Sequence, residues 1–67
     1  MRGTGYTPTP EEVREWRGMI SQSECAKMVY TRQSVWSYYE TGKIRMHPAM
    51  WELFLIKVRH HELFREP

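Results

Sequence analysis

The chain is 67 residues long, about half of an ordinary domain, which excludes a multidomain enzyme, a wound α/β nucleotide-binding unit and a barrel. Three Trp, four Tyr and two Phe are too much apolar bulk for a disordered tail, and a single cysteine excludes an internal disulfide and a cysteine-based zinc site. Ten Lys and Arg against eight Glu, with no Asp, leave a net charge of +2 that is unevenly spread: residues 11–24 carry four Glu against Arg14 and Arg17, whereas 25–47 carry Lys27, Arg32, Lys43 and Arg45 against Glu40 alone. A basic middle beside an acidic start is the asymmetry expected of a chain that turns one face to a polyanion.

In chain order, residues 1–8, with two glycines and Pro8, read as a flexible N-terminal arm, and residues 9–67 as one domain. No apolar run reaches the roughly 20 residues of a bilayer span, and none of secretory type follows Met1-Arg2-Gly3-Thr4, so a soluble intracellular protein is expected. No segment alternates apolar and polar residues long enough for a strand, which predicts an all-α fold. Thr9-Pro10-Glu11-Glu12 is a helix start: Thr9 can cap, Pro10 lacks the amide hydrogen that the first turn leaves unused, and Glu12 stands at the capping-box position. Val13, Trp16 and Ile20 fall near one side, with Gly18 ending the helix and Met19 and Ile20 in the connection. Ser21-Gln22-Ser23-Glu24 repeats the capping-box pattern and opens a short second helix with Cys25, Ala26, Met28 and Val29 on its apolar side. Tyr30-Thr31 interrupts it. A third helix follows from about Arg32 to Thr41, with Thr31 or Arg32 at its cap, Thr31 being the better cap by chemistry, and Gly42 at its left-handed end.

His47-Pro48 turns into the last and longest helix, about residues 48–64. At 100° per residue, Met50, Trp51, Phe54, Leu55 and Val58 share one side, and Leu53, Ile56, Leu63 and Phe64 lie roughly opposite. The first side can face the core. The second is either a homodimer interface or a surface covered by a C-terminus that folds back.

Two short helices joined tightly, the second with polar residues at its front, can hold that second helix proud of the body and into a DNA major groove. The run Ser21-Gln22-Ser23-Glu24-Cys25-Ala26-Lys27-Met28-Val29, then Trp36, then Tyr39-Glu40-Thr41-Gly42, resembles the Cro and phage-repressor (Xre-like) helix-turn-helix family without a gap from Ser21 to Gly42. With the preceding helix and the Trp51-Glu52-Leu53-Phe54 segment, the likeness covers about residues 9–58, in particular to small phage and prophage transcriptional regulators. It implies a compact four- to five-helix lambda-repressor-like DNA-binding domain. The chain departs from the pattern at Tyr30, where the family has a turn glycine, at Thr31 and Trp36, where it has aliphatic residues, and at Tyr39. A left-handed backbone at Tyr30 costs about 1 kcal/mol without glycine, which sets a differently built turn beside the glycine-type one as the alternative.

Carried over to matching positions, the resemblance implies a phosphate contact from Gln22 and base contacts from Gln33, Ser34, Ser37 and Tyr38. The chemistry suits each: Gln33 can bond adenine N6 and N7 together, Ser34 and Ser37 can donate or accept, and Tyr38 can lie on a thymine methyl or bond a phosphate, or else pack on its helix. Arg32 reaches guanine or phosphate, or is a solvated charge. Lys43, Arg45 and, more weakly, Lys27 suit the DNA backbone, where contacts orient without carrying sequence information. The expected function is a sequence-specific double-stranded DNA-binding regulator, acting as a dimeric repressor on inverted half-sites about 34 Å apart. The implied setting is cytoplasmic and nucleoid-associated, in a bacterial cell or a phage-infected host. The alternative is a protein-interaction module or DNA–protein adaptor on the same fold.

Other residues carry less. Trp36 and Tyr39 are three apart and read as core rather than a base-stacking platform, and Cys25 as a small buried residue. His60 and His61 are adjacent and face different directions, so no metal or cofactor is expected. No acid, base and nucleophile stand at a recognisable spacing, and the expected protein is not an enzyme.

Overall fold

Thr9 opens the fold as its side chain requires: Oγ1 accepts from the Glu12 amide at 3.1 Å while the Glu12 carboxylate accepts from the Thr9 amide at 3.0 Å. This reciprocal capping box starts α1 (Pro10–Arg17), and Gly18 ends it at φ 55°. Four helices follow one another among residues 6–67, the residues described by this computed structural model: α1, α2 (Gln22–Met28), α3 (Gln33–Thr41) and α4 (Pro48–Val58). No strand occurs among them, so the fold is all-helical. The radius of gyration, 10.8 Å, matches the roughly 11 Å of a compact folded chain of this length. Of the expected arm, residues 1–5 lie outside the described residues. Residues 6–8 lie against the body: Pro8 is buried and the Tyr6 hydroxyl donates to Glu12.

The core is one cluster drawn from every helix: Val13 from α1, Cys25 and Ala26 from α2, Trp36 and Tyr39 from α3, and Trp51, Phe54 and Val58 from α4, closed by Ile20, Val29 and Met46 from the connections. Trp36 and Phe54 sit at its centre with ring centroids 4.9 Å apart, and neither is exposed. The expected assignment of Trp36, Tyr39 and Cys25 to the interior holds. Burial also pushes the Cys25 thiol up to about 12, which removes any nucleophilic thiolate at neutral pH.

At Tyr30 the backbone is left-handed, φ 61°, in spite of the side chain. The Tyr30 amide bonds the Lys27 carbonyl and the Thr31 amide bonds that of Ala26, the pair of bonds that normally surrounds a glycine at a helix end. The left-handed end of α2 is therefore built here with tyrosine, and the ring, 80% exposed, lies under the Lys57 ammonium, 4.2 Å from its centroid. Tyr30→Gly and Tyr30→Ala both lose that contact, but only glycine relieves the left-handed strain. The glycine variant is expected to be the more stable by about 1 kcal/mol, or about 4–8 °C in thermal unfolding followed by circular dichroism. Equal melting temperatures would contradict the conformation.

Three local expectations change. Arg32, not Thr31, is the N-cap of α3, and its side chain makes no capping bond. Ser21 caps the Glu24 amide, but the Glu24 carboxylate reaches across to His61 Nε2 instead of completing a capping box. Finally, α4 stops at Val58, not near residue 64. Bonds from the His60, His61 and Phe64 amides to carbonyls three residues back tighten the chain, and His61 Nδ1 accepts from the Leu63 amide. Phe64 is thereby carried to Trp16, with which it stacks at 5.7 Å. Leu53, Ile56, Leu63 and Phe64 therefore do not form one helical stripe. Leu53 packs on the edge of the core, Ile56 is 62% exposed, Leu63 is exposed in the turn and Phe64 covers α1.

Candidate nucleic-acid interface

The surface of α3 is decided by what its other side buries. Trp36, Tyr39 and Glu40 turn inward at spacings of three and four, which leaves Gln33, Ser34, Ser37, Tyr38 and Thr41 along the outer face. Gln33, Ser34, Tyr38 and Thr41 are exposed and Ser37 is half-buried. The four base-contact positions carried by the resemblance are thus brought together on one face, with exposed Arg32 at its leading end.

That leading end is electrostatically open. The first turns of α1 and α2 contain Glu11, Glu12 and Glu24 and are capped by hydroxyls, whereas the first turn of α3 has neither an acidic residue nor a side-chain cap. Free amide hydrogens and the positive end of the helix dipole remain available to an anion. At the other end Gly42 is left-handed at φ 85°, and Lys43 comes back along the same helix with its ammonium 4.8 Å from the Tyr38 ring centroid. Arg45 is exposed two residues later, at the rim of a cavity of about 180 Å³ that Thr7 to Pro10 share with the segment Gly42 to Met46. No ion pair among the described residues involves Arg32, Lys43 or Arg45. Lys27 points elsewhere. It lines an open groove with Glu24, Met28, Lys57, His60 and His61, between α2 and the end of α4.

Behind α3 lies a polar hub that the pattern of residues did not disclose. The Glu40 carboxylate, 4% exposed, accepts from Arg17 Nε and Nη2 on α1, from Gln22 Nε2 on α2 at 2.9 Å, and from Trp36 Nε1 one turn earlier at 2.7 Å. Arg14 also donates to the Glu40 main-chain carbonyl. Burial pushes the Glu40 carboxyl up, but the hydrogen bonds from Arg17, Gln22 and Trp36 and the Arg17 charge outweigh it and hold the group below the usual carboxylate range. Two consequences follow for the surface. The only acidic residue of the 25–47 segment is withdrawn from it, so its exposed charges are all positive. Gln22, expected at phosphate, is half-buried and its amide is aimed by Glu40, which keeps the start of α2 in register with α3. The signal for the hub was present: Glu40 lies four residues after Trp36 and so shares its inward side.

Among the described residues no cluster of three or more His, Cys, Asp or Glu could hold a metal ion, and no helix is long and apolar enough to cross a membrane. Compared with known protein families and with curated proteins, the chain matches none.

Proposed function

We propose that the protein is a sequence-specific double-stranded DNA-binding regulator of helix-turn-helix type, with α2 and α3 as the two helices and the first turns of α3 in the major groove. The observation that carries this reading is the outer face of α3: an uncapped, acid-free helix start, Arg32, Gln33, Ser34, Ser37 and Tyr38 along one side, and beyond it Lys43, which forms no ion pair among the described residues. Gln33 and Ser34 stand where hydrogen bonds to base edges are made, and Arg32, Lys43, Arg45 and Gln22 supply the phosphate contacts that set register. Occupation of a promoter would repress without any chemistry in the protein.

Selection of bound duplexes from a random pool tests this directly. A recurrent half-site is expected, with affinity that falls steeply as salt rises, because each cation on a phosphate releases a condensed counterion. Gln33→Ala should lower the preference for one base pair by about 1–3 kcal/mol with the fold intact. Recovery of no enriched sequence at any salt concentration would move the protein to the class of interaction modules.

Two-fold pairing is proposed through α4, where Ile56 is exposed beside half-buried Leu53. Ile56→Glu is expected to give monomers in sedimentation and to weaken binding to paired half-sites much more than to a single one. An unchanged sedimenting mass would place the pairing surface elsewhere. The described core is unaffected by this change because Ile56 is outside it.

A further inference from the structure

We propose that Tyr38 is the positioning residue for Lys43, fixing its ammonium against a DNA phosphate, and that Tyr38 itself reads no base; this rests on the DNA-binding reading above. The geometry begins at the end of α3. The Tyr38 carbonyl receives the amides of Gly42 and Lys43, the latter at 3.0 Å, and the Thr41 hydroxyl at 3.3 Å. The left-handed Gly42 lets the chain reverse, so the Lys43 backbone is pinned to the very residue whose ring its side chain crosses. The ammonium then stands 4.8 Å from the ring centroid, within the range of attraction between a cation and an aromatic face.

Both side chains are exposed, and no carboxylate among the described residues forms an ion pair with Lys43. The ring therefore restricts a side chain that would otherwise lose much conformational freedom on meeting a phosphate. The same contact covers one face of the ring that a thymine methyl would need. A point charge held beside the groove strengthens binding to every sequence alike.

The test uses the full chain, a duplex recovered by random-pool selection and a scrambled duplex of equal length, titrated over a series of salt concentrations. Tyr38→Leu is expected to weaken both duplexes by the same factor, about twofold to fivefold, and to have no further effect once Lys43→Met is present. Lys43→Met should lower the salt slope by about 1, and Tyr38→Phe should bind like the parent. Loss confined to the selected duplex in Tyr38→Leu, or additive losses in the double variant, would overturn the proposal. A readout without DNA separates the two layers of inference: the Lys43 methylene proton resonances should be shifted upfield by the ring in the parent and in Tyr38→Phe but not in Tyr38→Leu. An unshifted parent spectrum removes the contact itself; a shifted spectrum in a protein that binds neither duplex removes the DNA-binding reading instead.

Discussion

Replacement of Glu40 by alanine is expected to cost about 3–5 kcal/mol, the range for breaking a buried ion pair by removing one partner. Glu40 is 4% exposed and its carboxylate gathers donors from α1, α2 and α3. Without it the indole N–H of Trp36, in a fully buried ring, has lost its acceptor, and Arg17 must find solvent. A chain of this length has a total stability of only about 3–10 kcal/mol, so Glu40→Ala should melt at least about 12 °C lower or be largely unfolded at room temperature. Glu40→Gln keeps the shape and one acceptor and should lose less, about 1.5–3 kcal/mol. Urea unfolding of the three proteins checks this order, and an alanine variant within 1 kcal/mol of the parent would contradict the hub.

The hub also sets a pH dependence whose sign is fixed. Because the folded Glu40 carboxyl lies below its ordinary value of 4.5, its contribution is complete above that value and is lost as pH falls through the folded value. The stability difference between the parent and Glu40→Gln should therefore shrink on acidification below about pH 4.5. A difference that grew with acid would mean that the carboxyl is raised rather than lowered.

Helices and interior were legible in the residues because local chemistry and burial agree there. Thr9, Ser21 and Pro48 act at helix ends as their side chains dictate and Gly42 as its missing side chain allows, and Trp36, Phe54 and Val58 pack inward as their spacing requires. What escaped were contacts made across the fold. The end of α4 depends on His61 meeting Glu24, 37 residues earlier, and on Phe64 stacking on Trp16, neither of which a helical period encodes. Glu40 entered only the charge sum of its segment, because its partners Arg17 and Gln22 lie on other helices. Tyr30 shows the converse: the turn keeps its left-handed shape without glycine, since the two bonds that close α2 and the packing of α2 on α3 over-determine it.

A double substitution at the front of α3, Gln33→Glu with Ser34→Glu, should separate folding from function more sharply than any deletion. Both positions are exposed and in the first helical turn, which lacks acidic residues. Carboxylates there oppose the free amides and the positive helix end, a gain of about 0.3–1 kcal/mol each. The melting temperature should therefore stay level or rise by a few degrees. Against a phosphate backbone the same two charges are repelled, at a cost of several kcal/mol, and the base contacts proposed for Gln33 would be lost as well, about 1–3 kcal/mol. Affinity for the selected duplex is expected to fall at least about 100-fold, whereas Gln33→Ala with Ser34→Ala should lose mainly discrimination between duplexes. Calorimetric melting and a duplex titration on the same samples decide it. A doubly acidic protein that is folded and still binds the selected duplex with parental affinity would show that the front of α3 never meets DNA, and would move the DNA contact to another surface of the protein.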